Sequence, residues 1–118
     1  MVKVLIVDDA EFIRVKMNQV LLKHNFTVIE AENGEEAVKQ YTLGTPDIVI
    51  MDVTMPIMNG ITAVKKIVEI NKNARVIMLT NVDEQIIVMD AINNGACDYL
   101  IKPVQEQKLV DCINKNLL

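Results

Sequence analysis

The sequence predicts a doubly wound α/β protein, a (βα)5 arrangement in which five strands form one open parallel sheet. Short apolar segments alternate with segments of helical periodicity along the whole chain. Three of the five apolar segments are almost continuous in Val, Ile, Leu and Met, which is typical of strands covered on both faces. Right-handed crossovers then place helices on both faces of the sheet.

The five predicted strands are residues 2–7, 27–31, 47–51, 75–79 and 98–101, of which the first, third and fourth are the continuous ones. Each following segment has an apolar stripe at helical spacing. The five stripes are Ile13, Met17, Val20 and Leu21; Ala37, Val38 and Tyr41; Ile61, Val64 and Val68; Ile87, Val88, Ala91 and Ile92; and Leu109, Ile113 and Leu117.

The predicted helix ends agree with these segments. Asn33 with Glu36 matches a capping box, and Asn59 is a suitable cap for the third helix. Gly44 and Gly95 fall where a left-handed helix end is expected.

The composition indicates one globular domain, residues 1–118, with an aliphatic core. The chain has 51% hydrophobic residues and only four aromatic ones, two Phe and two Tyr. A net charge of −4 and only two arginines, Arg14 and Arg75, argue against a nucleic-acid partner. The sequence has neither a signal-peptide pattern nor an apolar run of bilayer length. We therefore expect a cytoplasmic monomer, with Cys97 and Cys112 as packing residues.

Polar and charged residues follow four of the predicted strands. Asp8 and Asp9 come after the first strand, Asp52 after the third, Thr80 after the fourth and Lys102 after the fifth. In an open parallel sheet ligands bind outside the carboxyl ends of the strands. Each residue alone is commonly a cap, a turn residue or a surface charge. Their convergence on one edge of the sheet predicts a site.

The residue types at this edge suit phosphoryl transfer. Three carboxylates favour a hard divalent cation, and few ligands with room for water favour Mg²⁺. Asp52 can act as a nucleophile towards phosphorus. Lys102 and Mg²⁺ would neutralise the phosphoryl oxygens, and the Thr80 hydroxyl would donate to one of them.

The same residues resemble those of a bacterial response-regulator receiver domain, over the whole chain. The matching motifs are "DD" after the first strand, the Asp of "MDVTMPIMNG", the Thr after the fourth strand and "KP" after the fifth. The resemblance implies a flavodoxin-like sheet with strand order 2-1-3-4-5. It also implies that Asp52 is the phosphoacceptor and that Asp9, Asp52 and the backbone carbonyl of Thr54 bind Mg²⁺, with Asp8 acting mainly through water.

The resemblance further implies a conformational switch. Thr80 would move to the phosphoryl group and the ring of Tyr99 would turn inward, changing the surface of the fourth helix, fifth strand and fifth helix. The phosphodonor would be a sensor histidine kinase, and the Lys102–Pro103 bond would be cis. Tyr99 alone would more often be a packed ring with an exposed hydroxyl.

Three readings of the biological role stay open. The stretches "VDDAEFIR", "DVTMPIMNG" and "KPVQ" are most similar to single-domain CheY-like chemotaxis regulators, whose partner is the flagellar motor switch. The alternatives are a relay protein that passes phosphate to a histidine phosphotransfer domain, and a receiver cut from a longer regulator. In each case we expect a signalling protein rather than an enzyme, one that assists only its own phosphorylation and dephosphorylation.

Two other classes fit less well. A phosphatase with an aspartyl nucleophile usually has a second acid two residues later, where this chain has Thr54. A flavin or nucleotide carrier needs a Gly- or hydroxyl-rich loop after the first strand, where this chain has "DDAEF".

Other residues bear on the chemistry of the predicted site. Asn81 follows Thr80 where such domains more often have Ala or Gly, so we hypothesise that it slows turnover of the phosphoryl group by crowding. Thr54 and Val82 lie where, in such domains, side chains flank the phosphoryl group and tune attack by water. His24, near the end of the first helix, is a rival phosphoacceptor, but a His in a last helical turn commonly complements the helix dipole.

Overall fold

The computed structural model describes residues 1–53 and 55–118, apart from the side chain of Val82. Within these residues five strands alternate with five α-helices, and a short 3-10 helix, Val82–Glu84, precedes the fourth α-helix. The elements are β1 (Lys3–Val7), α1 (Glu11–Lys23), β2 (Thr27–Ala31), α2 (Gly34–Gly44), β3 (Ile48–Asp52), α3 (Gly60–Ile70), β4 (Val76–Thr80), α4 (Gln85–Asn93), β5 (Asp98–Ile101) and α5 (Glu106–Leu117).

The strands form one sheet in the order β2-β1-β3-β4-β5, and every pairing is parallel. The register brings the strand ends level: Val7 pairs with Met51, and Asp52 pairs with Leu79. This confirms the predicted flavodoxin-like architecture and its strand order. It also places the carboxyl ends of β1, β3, β4 and β5 along one edge.

The core consists of two apolar layers, one on each face of the sheet. Alternate strand residues such as Leu5 and Met51 pack with α2, α3 and α4, whereas Ile6 and Ile50 pack with α1 and α5. All four side chains have no exposed surface. Full burial of an aliphatic side chain stabilises a fold by about 1.5–3 kcal/mol. The two layers therefore hold the strands in place, and with them the residues at the carboxyl ends of the strands.

Two strands end one residue later than the sequence predicts. β3 ends at Asp52 and β4 ends at Thr80, so these residues belong to the sheet rather than follow it. The ladder continues because the N–H of Val53 donates to Leu79 and the N–H of Lys102 donates to Thr80, at 3.0 and 2.7 Å. The nucleophile candidate and the hydroxyl are thus held by sheet hydrogen bonds.

The predicted helix caps are present. The Asn33 side chain accepts from the N–H of Glu36 at 2.8 Å, and the Asn59 side chain accepts from the N–H of Thr62 at 3.0 Å. Gly95 has the expected positive φ, 121°.

Two predictions about single residues were wrong. Thr45, not Gly44, adopts the left-handed conformation that ends α2, with φ 43°. Gly44 instead leaves space, because a Cβ there would lie 2.5 Å from Cδ1 of Ile29. Cys112 is buried as expected, but Cys97 is exposed, just before β5.

Among the described residues no helix has the length and apolarity needed to cross a membrane.

Candidate functional site

Three carboxylates meet at the carboxyl ends of β1 and β3. Carboxylate oxygens of Asp8, Asp9 and Asp52 all lie within 4.8 Å of one another. Asp8 and Asp52 are buried, with 1% and 7% of their surface exposed, whereas Asp9 is exposed. The predicted acidic cluster is therefore formed, with one open side.

The ammonium of Lys102 lies between two of these carboxylates. Its Nζ is 3.2 Å from Oδ2 of Asp8 and 3.2 Å from Oδ1 of Asp52. Burial alone would lower the pKa of Lys102, but Asp52 and Asp8 raise it above its ordinary value. Lys102 is consequently a permanent cation in the site.

Asp52 is harder to ionise than an ordinary aspartate. Burial, reinforced by repulsion from Asp8, raises its pKa from 3.8 to about 6, although Lys102 acts in the opposite direction. Above about pH 6 the carboxylate form predominates, and only this form could act as a nucleophile. Its charge is incompletely compensated by the protein, so a cation would stabilise it.

Asp8 is fixed by contacts with the β1–α1 loop, with α1 and with β2. The Asp8 carboxylate accepts from the N–H of Ala10 at 3.0 Å, and its own N–H donates to the carbonyl of Ala31 at 3.2 Å. Its carbonyl accepts from Nη1 of Arg14 at 2.6 Å. Arg14 closes the stretch "VDDAEFIR", but its sequence context predicts no role for it, because a lone arginine in a helical segment usually points to solvent.

A close approach between backbones positions the end of β3. The N–H of Gly60 donates to the carbonyl of Val53 at 2.9 Å. A Cβ at Gly60 would lie 2.5 Å from the carbonyl oxygen of Asp52, so a larger residue there would displace the nucleophile candidate. The predicted ligand Thr54 lies outside the described residues.

The β3–α3 loop contains a strained residue. Ile57 has φ 68°, which is unfavourable for a β-branched side chain, and 76% of its surface is exposed. The N–H of Met58 donates to the carbonyl of Pro56 at 2.8 Å across this turn. The carbonyl of Met58 in turn accepts from the N–H of Gly34 at 3.1 Å, which ties the loop to α2.

Thr80 and Tyr99, the expected switch pair, lie on neighbouring strands. Thr80 is 1% exposed, and its hydroxyl donates to the carbonyl of Asn81 at 3.1 Å. Tyr99, in contrast, is exposed over 41% of its surface. Asn81 is exposed, and its N–H donates to the carboxylate of Glu84 at 2.9 Å.

His24 lies apart from this cluster. It caps the C-terminal end of α1, whereas Asp8 and Asp9 precede the N-terminal end. The 13 residues of α1 span about 20 Å. Its Nε2 is 3.9 Å from a carboxylate oxygen of Glu106. The structure therefore separates the rival phosphoacceptor from the acidic cluster.

The donor set suits a hard divalent cation. Among the described residues it consists of three carboxylates, of which those of Asp8 and Asp52 are buried at the sheet edge and that of Asp9 faces water. Mg²⁺ characteristically takes one or two carboxylates and keeps several waters. The acidic cluster therefore suits Mg²⁺ for two reasons: its ligands are carboxylate oxygens, and the charge of Asp52 is incompletely compensated by the protein.

The fold and this edge define a class: flavodoxin-like α/β proteins with an acidic site at the carboxyl ends of the strands. The family described as "Response regulator receiver domain" matches residues 4–114. The chain belongs to this family, the receiver domains of two-component response regulators, which are signalling proteins.

Relatives of known name agree with this assignment. The chain is 47% identical to the chemotaxis protein CheY of Bacillus subtilis, over 98% of this chain and 97% of the relative. It is 46% identical to the chemotaxis protein CheY of Thermotoga maritima, over 96% and 95%. A solved CheX-CheY-BeF3-Mg²⁺ complex from Borrelia burgdorferi superposes with a TM-score of 0.92 at 37% identity, covering 99% of this chain and 90% of that one.

Proposed function

We propose that this protein is a phosphorylation-dependent switch in which Asp52 accepts a phosphoryl group from a sensor histidine kinase. One observation carries the proposal: the buried Asp52 carboxylate lies at a strand end, in contact with Lys102 and within the acidic cluster. This arrangement supplies a nucleophile, a fixed cation and oxygen ligands at one place. Phosphoryl transfer depends mainly on such positioning and charge neutralisation.

In the proposed reaction a carboxylate oxygen of Asp52 forms the new bond to phosphorus. The phosphorus–nitrogen bond of the donor phosphohistidine breaks, and its electron pair stays on the imidazole, which takes up a proton. Mg²⁺ held by Asp9, Asp52 and the Thr54 carbonyl, with Asp8 acting through water, would neutralise charge on the phosphoryl oxygens.

Lys102 and Thr80 complete the proposed site. Lys102 already contacts the carboxylate that would be modified, so its ammonium can pair with a phosphoryl oxygen without a large movement. Thr80 would exchange its bond to the Asn81 carbonyl for one to the phosphoryl group. That exchange would couple the site to β4 and, through the neighbouring strand, to Tyr99.

The output in this proposal is a surface of α4, β5 and α5. Exposed apolar side chains mark it, and with their exposed fractions they are Ile86 (88%), Ile87 (38%), Met89 (58%), Tyr99 (41%) and Ile101 (37%). Inward rotation of the Tyr99 ring would change the shape of this surface, which a second protein would read. The chemotaxis names of the relatives support the flagellar motor switch as that partner. In this proposal the acting form is a cytoplasmic monomer.

The first experiment is incubation with Mg²⁺ and acetyl phosphate, followed by intact mass and peptide mapping. We expect one acid-stable, alkali-labile phosphoryl group on Asp52, and none on Asp52→Asn. Absence of an adduct on the wild type, or an adduct on His24, would refute the proposal. Binding of the phosphorylated form to a motor-switch peptide, rather than phosphate transfer to a histidine phosphotransfer domain, would support the chemotaxis role.

A further inference from the structure

We propose that Arg14 is a positioning residue that sets the Mg²⁺ affinity of the acidic site by holding the backbone that joins Asp8 to Asp9. This inference rests on the metal site of the proposed function. It assigns a role to Arg14, which stands at the end of the stretch "VDDAEFIR" but to which the sequence motifs gave no function.

The guanidinium of Arg14 is fixed from two sides. Its Nη1 donates to the Asp8 carbonyl at 2.6 Å, and its Nε lies 3.3 Å from a carboxylate oxygen of Glu30 on β2. The second carboxylate oxygen of Glu30 accepts from Nδ2 of Asn18, one turn further along α1, at 3.1 Å. Only 14% of the Arg14 side chain is exposed. A contact held in this way has one geometry rather than many.

The peptide plane transmits this contact to Asp9. The carbonyl of Asp8 and the N–H of Asp9 belong to the same planar peptide unit. Fixing the direction of that carbonyl therefore fixes the position of the Asp9 Cα atom, from which its side chain extends. The carboxylate of Asp8 is already held by Ala10 and Lys102. Within residues 1–53 and 55–118, no comparable side-chain hydrogen bond or ion pair to Asp9 is found.

The sign of the effect separates positioning from simple electrostatics. A nearby cation repels Mg²⁺, so the loss of the Arg14 charge would by itself strengthen Mg²⁺ binding. Loss of positioning would weaken it, because Asp9 would have to be ordered on binding. Replacing a residue that holds a metal ligand in place commonly lowers metal affinity by about 10–100-fold.

The test is calorimetric titration of Mg²⁺ into the unphosphorylated protein. We expect Arg14→Gln to bind Mg²⁺ about tenfold more weakly than the wild type. Its phosphorylation rate at low Mg²⁺ should fall with the Mg²⁺ occupancy, and raising the Mg²⁺ concentration should recover most of the loss, because Arg14 acts on metal binding and touches none of the reacting atoms. Arg14→Lys, which keeps a donor on a long stem, should recover part of the affinity.

The matched control is Lys16→Gln, which removes the same charge from an exposed position of the same helix. It should leave Mg²⁺ affinity unchanged or slightly higher. Glu30→Gln keeps Arg14 but removes the charge of its ion-pair partner. It should weaken Mg²⁺ binding by a smaller factor than Arg14→Gln. This variant decides the question if Arg14→Gln does not fold.

Three results would overturn the inference: Mg²⁺ affinity of Arg14→Gln equal to or higher than that of the wild type, a lower melting temperature with unchanged affinity, or no Mg²⁺ binding by the wild type. A wild type that binds Mg²⁺ but forms no adduct on Asp52 would refute the proposed function and leave this inference standing.

Discussion

The Nζ atom of Lys102, at the end of β5, lies 3.2 Å from a carboxylate oxygen of Asp52, at the end of β3. Another strand, β4, separates their two strands in the sheet. The contact therefore depends on the register of three strands, and it places a cation beside the residue proposed to be phosphorylated.

Replacing Lys102 tests the use of this cation. Lys102→Gln should slow phosphorylation by acetyl phosphate about a hundredfold, because one charged donor to the transferred group is lost. The measurement is the phosphorylated fraction against time by intact mass. Lys72→Gln, at an exposed position, is the control and should react normally. A rate for Lys102→Gln close to that of the wild type would contradict the proposed role.

The raised pKa of Asp52 predicts a pH-dependent stability. Its pKa is about 6 in the folded protein, against an ordinary value of 3.8. The folded state thus binds this proton more tightly than the unfolded state, and stability falls as the pH rises from about 4 to about 6. At pH 7.5 without Mg²⁺, Asp52→Asn should raise the free energy of unfolding by on the order of 2 kcal/mol.

Urea denaturation in a chelator measures this difference. The gain should shrink towards zero near pH 4, where Asp52 is protonated in the folded wild type. Asp111→Asn, at an exposed position of α5, should show no comparable gain. A wild type more stable than Asp52→Asn at pH 7.5 would refute the prediction.

Mg²⁺ should stabilise the wild type through Asp9. A ligand at 100 times its dissociation constant adds about 2.7 kcal/mol to the free energy of unfolding. Asp9→Asn should lose most of this increment and still fold, because Asp9 is exposed. Thermal unfolding with and without Mg²⁺ provides the measurement. Glu69→Gln, an equal charge change on α3, should keep the full Mg²⁺ effect.

The coupling of Thr80 to Tyr99 can be followed with tyrosine fluorescence. The chain has no Trp and two Tyr, so Tyr41→Phe leaves Tyr99 as the only reporter. The loss of the Tyr41 hydroxyl removes one hydrogen bond from Asn71, at a cost of about 1 kcal/mol.

In that background, phosphorylation should reduce quenching of Tyr99 by acrylamide, because the ring becomes buried. Adding Thr80→Ala should abolish the change while the adduct on Asp52 still forms. Equal quenching before and after phosphorylation in the Tyr41→Phe protein would show that Tyr99 does not report the site.

Asn81 is predicted to slow turnover of the phosphoryl group. Asn81→Ala should speed both phosphorylation and loss of phosphate several-fold by widening access to Asp52. The backbone contact from Asn81 to Glu84 does not require the amide side chain and should persist. Rates measured with acetyl phosphate, and after its removal, provide the test. Two unchanged rates would exclude crowding by this side chain.

The fold was predictable because its layers are encoded locally. Continuous apolar strands and apolar helical stripes already specify a parallel sheet with helices on both faces. The acidic cluster followed from the rule that carboxyl ends of parallel strands share one edge. Asp8, Asp52 and Lys102, far apart in the sequence, could be placed together on that basis alone.

Other features depend on geometry that no local pattern encodes. The one-residue extensions of β3 and β4 arise from hydrogen bonds to neighbouring strands. The contact from Arg14 to the Asp8 carbonyl requires a particular rotation of α1 about its axis. The left-handed backbone of Thr45 and Ile57 is imposed by surrounding contacts against the preference of the residue.

The unequal exposure of Asp8 and Asp9 has a kinetic consequence. Because Asp9 faces water while Asp8 and Asp52 are largely buried, a cation would reach the cluster from the Asp9 side. Neither its entry nor its departure would require the sheet to open or a helix to move. Ion exchange should therefore be fast compared with the rearrangement of the output surface, so that the metal is in equilibrium with the medium at every stage of signalling.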